Sequence, residues 1–283
     1  MTTVSSISIG SAIAVLATSG LALNIVVMAV IIKGSFLAAN NNSTFPMLFN
    51  LLLSDSLHLS FILFYLTPAA IVQDVMVVGL DTTLGTAMRV VLYVSRTMLA
   101  CLACSRLVLV CYPKFSGLFE RSKAIKMCIV TWPLCIALAV IGQYLMPCCQ
   151  LVLYFRTFSL HFSKGANSTN YSDFLIEKPT SIGSSLIAFV CYSIIIIKIR
   201  KERKQVTSAL TNSEQNKRKK QEYGFVFQFT AISISSTFTW LSFLIYPKII
   251  PYAQPEWNNR GIINKSNVSA ADLSNFLENK WHL

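Results

Sequence analysis

The sequence predicts an all-α, polytopic transmembrane bundle with six visible spans, and three observations carry that expectation. Of 283 residues, 54% are hydrophobic and only 13% are charged, where soluble proteins carry about 25% charged residues. Mean hydropathy is +0.57. Apolar runs long enough to cross a bilayer, about 20 residues each, recur along the chain. The basic residues behind the net charge of +12 lie between those runs. Together these features exclude a soluble enzyme and a disordered chain. They also make the positive charge a matter of membrane topology, not of nucleic-acid binding.

The first span runs from about Ile9 to Ile32, with no charge before Lys33. It is too long for a cleaved signal and lacks the basic start of one, so residues 1–8 are expected as a short extracellular N-terminus. The second span covers about Phe45 to Val72 and holds one acid, Asp55. The third, about Leu84 to Val110, holds Arg89, Arg96 and Arg106. Its weak hydropathy suggests a helix surrounded by others. The fourth covers about Ile125 to Met146, the fifth about Ile182 to Ile197, and the sixth about Tyr223 to Ile250, where Pro247 and Pro251 mark its end. Residues 9–250 then form one transmembrane domain. Residues 251–283 are a polar tail with no further apolar run.

Loop charge orients the bundle. The loops after spans one, three and five carry one, four (counting Lys126 at the boundary of span four) and nine basic residues. The loop after span two has none, and the loop after span four has Arg156, Lys164 and Lys178. The positive-inside rule then places the N-terminus outside. Glycosylation motifs at Asn167 and Asn170 fall in the outer loop after span four, in keeping with that orientation. A third motif at Asn42 falls on the opposite side.

Catalytic and metal chemistry find little support. Six of the eight cysteines lie in apolar runs, where Cys packs as a small hydrophobe. Cys101 and Cys104 have metal-like spacing but no second pair. There is no His-Glu-x-x-His, no Gly-x-Ser-x-Gly and no phosphate loop among the three-histidine chain. No enzyme, cofactor or metal is expected. Cys148 and Cys149, at the outer edge of span four, are candidates for a disulfide on the oxidising side.

Several motifs stand in a telling order. Span one carries Gly20-Leu21-Ala22-Leu23-Asn24, and span two carries Asn50-Leu51-Leu52-Leu53-Ser54-Asp55. Span three ends Ser105-Arg106-Leu107, with Pro113 seven residues after the arginine. Span four holds Trp132. Thr67-Pro68 ends span two, Pro147-Cys148-Cys149 follows span four, and a Lys/Arg run precedes a sixth span containing Gln228. Over residues 12–250 this pattern resembles the nematode serpentine chemoreceptors of class x (Srx), within the rhodopsin-like seven-transmembrane G-protein-coupled receptor superfamily. The departures are Ser105 and Leu107 beside Arg106, no Cys opening span three, and no seventh helix.

The resemblance implies a non-enzymatic chemosensory receptor for small, odorant-like molecules. It would sit as a multi-pass protein in the plasma membrane of a chemosensory neuron, with a heterotrimeric G protein as cytosolic partner. The rival readings are a truncated, non-signalling receptor product and a small-solute transporter or channel subunit. No internal repeat favours the transporter.

Individual residues are weighed against plainer roles. The resemblance makes Arg106 a cytosolic switch, with Glu222 as its topological partner; the plain reading is interfacial anchoring. Arg96 lies ten residues before Arg106, so about 15 Å deeper at 1.5 Å per residue. Asp55 reaches a similar depth, and the two are expected to compensate each other, directly or through water, because an unpaired charge there costs several kcal/mol. For Asp55 the alternatives are an ion or water site, or a neutralised carboxyl. Asn24 completes the intramembrane polar set. Arg89, with Tyr93 one turn below, is expected to line a ligand pocket that favours anionic or carbonyl-bearing ligands; the alternative is a snorkelling arginine. Trp240 is either a toggle below that pocket or a packing residue. The basic stretch 198–220 suits the anionic lipid leaflet or a G-protein surface.

Overall fold

The computed structural model describes residues 4–36, 43–72, 80–146, 151–154, 159–162 and 171–206. All belong to one compact unit, residues 1–236. Helix α1 (Val4–Lys33) has neither an acid nor a proline to interrupt it. It stops in a turn where Ser35 takes a left-handed φ of 51°. There the Phe36 N–H reaches back to the Ile31 carbonyl at 3.2 Å, and the Gly34 N–H to Val30 at 2.9 Å. These bonds satisfy carbonyls that the helix end would leave orphaned.

Helix α2 (Thr44–Phe61) continues through a π turn (Ile62–Leu66) into α3 (Thr67–Val72). Pro68 lies just beyond that turn and has no N–H to return to the preceding turn. The Thr67 N–H bonds five residues back to Ile62, so the wider turn keeps one continuous span through the proline. Helix α4 (Leu80–Cys111) follows, then a 3-10 turn (Pro113–Phe119). Helix α5 (Arg121–Val140) ends in a second π turn (Ile141–Leu145). A two-stranded antiparallel hairpin comes next, β1 (Leu151–Tyr154) on β2 (Ser159–Phe162), with Leu151 opposite Phe162. A third π turn (Asp173–Glu177) opens α6 (Lys178–Val206).

Five of these helical runs are long and apolar enough to cross a membrane: Ile7–Lys33, Thr44–Val72, Thr83–Cys111, Arg121–Leu145 and Asp173–Lys201. The first four match the expected spans to within a few residues. The fifth begins nine residues earlier than expected. Asp173, Glu177 and Lys178 interrupt the apolar run there, and a hydropathy reading counts that turn as loop. The hairpin was not anticipated; it adds a short β element to an otherwise helical bundle. The expected sixth span at 223–250 and the polar tail lie outside the described residues.

Helix α4 is the hub. It packs against α2, α5 and α6, and β1 lies beside it. Val90, Tyr93, Val94, Met98, Leu99, Leu102 and Ala103 place its side chains throughout the main core. This explains its modest hydropathy: a helix enclosed by protein can carry polar groups that a lipid-facing helix cannot. Outward-facing positions elsewhere are large and apolar, including Leu16 on α1, Ile129 and Leu134 on α5, and Phe189 on α6. That is the surface a bilayer solvates, and on a water-soluble protein it would be an aggregation liability.

Candidate functional site

Helices α4 and α6 run side by side in the same direction, and polar contacts mark their seam from end to end. Near the head, the Arg89 Nη1 lies 3.4 Å from the Ser172 Oγ. One turn along, the Tyr93 hydroxyl donates to Glu177 Oε2 at 3.0 Å. Arg96 Nη1 donates to Glu177 Oε1 at 2.6 Å, an ion pair. Further down, the Cys104 and Cys191 sulfurs are 3.9 Å apart. At the tail, the Lys198 Nζ donates to the carbonyls of Val110 at 2.8 Å and Cys111 at 2.9 Å.

The π turn makes the head of this seam possible. Arg89 and Tyr93 are four residues apart and share one face of α4. Their partners Ser172 and Glu177 are five apart, which an α-helix would splay to different faces. Here the Lys178 N–H closes on the Asp173 carbonyl five residues back. The extra residue in the turn brings both partners toward α4. Lys178 and Asp173 also pair by side chains at 2.7 Å.

Arg89 is only 1% exposed. It is therefore held in the bundle and does not snorkel to the outer surface. Gly142, at the end of α5, helps make room for it. A Cβ on Gly142 would come within 2.9 Å of the Ser172 Oγ and 3.3 Å of the Arg89 Nη1. A larger residue here would have to push the Ser172 hydroxyl and the Arg89 guanidinium aside.

The expected direct pairing of Asp55 with Arg96 is corrected. The carboxylate on Arg96 is Glu177, and Asp55 Oδ1 accepts instead from the Ser95 hydroxyl at 2.6 Å. The physical reason lies in the early start of the fifth span, which delivers an acid at the right depth on the neighbouring helix. His58, one turn from Asp55 on α2, is within electrostatic reach of Arg96. Trp132 packs against the core, and its indole N–H also donates to Asn50 Oδ1 at 3.0 Å, joining α5 to α2.

The structure thus gathers Arg89, Tyr93 and Arg96 into one region, while Asn24 stands apart, half-buried on α1. Arg106 sits further down α4, within electrostatic reach of Tyr192 on α6. Lys198, grouped from sequence with a membrane-surface loop, is part of α6 and caps the end of α4. Glu222, Trp240, Asn167 and Asn170 lie outside the described residues. Sequence reasoning missed Ser172, Glu177, Ser95 and Gly142. The apolar triplet Phe174-Leu175-Ile176 just before Glu177 was the available signal that the span starts early. Among the described residues no cluster of His, Cys, Asp and Glu is arranged to hold a metal.

The fold is similar to that in a crystal structure of squid rhodopsin, with a TM-score of 0.65 at 17% sequence identity. The match covers 81% of this chain and 63% of that one, so the chain spans less than two thirds of squid rhodopsin's length. At this identity the likeness is one of fold. No curated protein sequence matches the chain. The sequence pattern of the family described as "Serpentine type 7TM GPCR chemoreceptor Srx" matches residues 15–258, most of the chain. With a multi-pass helical bundle of rhodopsin-like fold and that match, the chain belongs to the Srx family of serpentine G-protein-coupled-receptor-type chemoreceptors.

Proposed function

We propose that the protein is a chemosensory receptor for small molecules, placed in the plasma membrane with its N-terminus outside and coupled to a heterotrimeric G protein. The observation that carries this reading is the α4–α6 seam. It has a charged, hydrogen-bonded cluster at its head and a lysine-to-carbonyl tie at its tail. With the N-terminus outside, the head faces the outer half of the membrane. Arg89 and Tyr93 meet the ligand there, and their chemistry favours an anionic or carbonyl-bearing molecule.

A ligand shifts a two-state bundle only by binding the two packings unequally. The Tyr93 hydroxyl is committed to Glu177. A ligand that takes this hydroxyl, or competes for Arg96, loosens the head of the seam and changes how α6 rides on α4. Arg106 is one turn before Val110, whose carbonyl Lys198 holds, so repacking at this end alters what the cytosolic face presents. Arg106 is the switch residue in this scheme. Glu222 is assigned as its partner, Asp55 and Asn24 as support for the polar interior, and Trp240 as the toggle residue. Asn167 and Asn170 carry glycans.

The test is expression in cultured cells with a G-protein reporter, an N-terminal epitope and a panel of small volatile carboxylic acids and aldehydes. The N-terminal epitope stains intact cells, and at least one compound activates the reporter. Arg89→Ala shifts that dose-response by tenfold or more, and Arg106→Ala abolishes the response at unchanged surface level. An unchanged dose-response in Arg89→Ala sinks the pocket assignment. Solute flux without a reporter response would replace the receptor reading with a transporter.

A further inference from the structure

The connection between α4 and α5 carries three large apolar side chains in the open: Tyr112, Phe115 and Leu118 are 53%, 59% and 59% exposed. Their spacing is no accident of a loop. In a 3-10 helix, residues three apart eclipse one another, so Phe115 and Leu118 stand in one row on the Pro113–Phe119 turn. Tyr112 is the residue before that turn, and its carbonyl accepts the Phe115 N–H at 2.9 Å. Phe119, by contrast, packs inward against the main core.

This row sits where two spans leave the membrane. The α4 span ends at Cys111 and the α5 span begins at Arg121. The flanking charge is of one sign. Lys114, Lys123 and Lys126 are exposed and Arg121 is half-buried, against a single acid, Glu120. Lys123 Nζ donates to the Gly117 carbonyl at 2.6 Å, which pins the turn to the start of α5. The row is therefore held in place before anything binds it.

We propose that this turn is an interfacial anchor for anionic phospholipid. The apolar row enters the boundary between headgroups and acyl chains, and the lysines engage the negative headgroups. Aromatic and aliphatic side chains flanked by lysines, at the edge of a span, have the composition of segments that lie in that boundary. The lysine stems lie along the apolar layer while their ammonium groups reach the phosphates. A soluble protein partner would have to offer an apolar strip and an acidic rim in the membrane plane, whereas an anionic leaflet presents both everywhere.

The test uses the full chain in lipid nanodiscs, of phosphatidylcholine alone or with phosphatidylserine added. Phe115→Trp places an indole in the row, and its emission is read as the difference from the parent protein. In serine-containing discs that emission is expected to shift to the blue, to be quenched by lipids brominated near the headgroup end of the acyl chain, and to weaken in high salt. Lys114→Gln with Lys126→Gln removes two cations, each contributing about fivefold to surface attraction, and returns quenching to the level in phosphatidylcholine alone. A water-like emission in both lipids overturns the proposal. So does equal quenching in both, which would show insertion without headgroup recognition. A blue shift that appears only on adding a heterotrimeric G protein overturns it too, and makes the row a protein-docking surface. Both leaflets of a nanodisc have the same composition, so the outcome does not depend on the orientation proposed above.

Discussion

Arg96 on α4 and Glu177 at the head of α6 form an ion pair of 2.6 Å within the span-forming part of the bundle. Their side chains are 21% and 22% exposed. Tyr93 donates to the second carboxylate oxygen, so both oxygens of Glu177 are used. The pair joins the hub helix, which bears the proposed ligand-facing Arg89 and Tyr93, to the fifth span.

Removing either partner leaves the other charge poorly compensated in a low-dielectric setting. Glu177→Gln and Arg96→Gln are each expected to lower stability by about 1–3 kcal/mol. The double variant should lose less than the sum, with a coupling of about 0.5–3 kcal/mol. Thermal unfolding of the purified variants in detergent measures this, and additive losses would show that the two residues do not interact. Exchanging the charges, Arg96→Glu with Glu177→Arg, should recover surface expression lost in the single swaps. The exchange Asp55→Arg with Arg96→Asp should not.

The indole of Trp132 holds Asn50 across the α5–α2 contact. Trp132→Phe keeps most of the apolar contact and loses the N–H, at a cost of about 1 kcal/mol. Adding Asn50→Leu removes the stranded amide and should recover part of that loss. Melting temperatures of the two variants decide the point: a double variant less stable than Trp132→Phe refutes it.

Gly142 lies close against the head of the seam. Gly142→Val pushes a branched side chain toward Ser172 and Arg89, and overpacking of this kind costs about 1–3 kcal/mol. The expected phenotype is a receptor that still reaches the surface but responds to ligand as poorly as Arg89→Ala. Surface staining alongside the reporter separates that outcome from simple misfolding. A response equal to the parent's would show that the seam tolerates the added bulk.

Lys198 places a positive charge on the C-terminal carbonyls of α4, where the helix dipole favours it. Lys198→Met keeps the aliphatic stem and removes the ammonium. Loss of the cap should cost about 0.3–1 kcal/mol and speed hydrogen exchange in the last turn of α4, including the Tyr112 N–H that bonds Val108 at 2.8 Å. Exchange unchanged at Tyr112 but faster elsewhere would assign Lys198 a different role.

Much of this architecture is legible in the residues alone. A span is a local property: about 20 apolar residues satisfy their own backbone hydrogen bonds, and lipid asks nothing more of them. The first four spans were therefore readable to within a few residues. The enclosed position of α4 was readable as well, since Arg89, Arg96 and Arg106 would be costly on a lipid-facing surface. Where reading failed, the cause was a charge with a partner far along the chain. Asp173, Glu177 and Lys178 made the head of the fifth span look like loop, and Arg96 was matched with Asp55 because depth along a helix was the only coordinate available.

The sequence by itself determined that this is a multi-pass helical membrane protein, where its first four apolar spans lie, and that polar chemistry concentrates on the third span. Tertiary structure alone decided which charge meets which. Depth in a bilayer follows from counting residues along one helix, but azimuth depends on how neighbouring helices cross and on local changes of winding. The π turn before α6 is such a change. One extra residue in a single turn brings Ser172 and Glu177 to the same neighbour, and so sets the partners of Arg89, Tyr93 and Arg96.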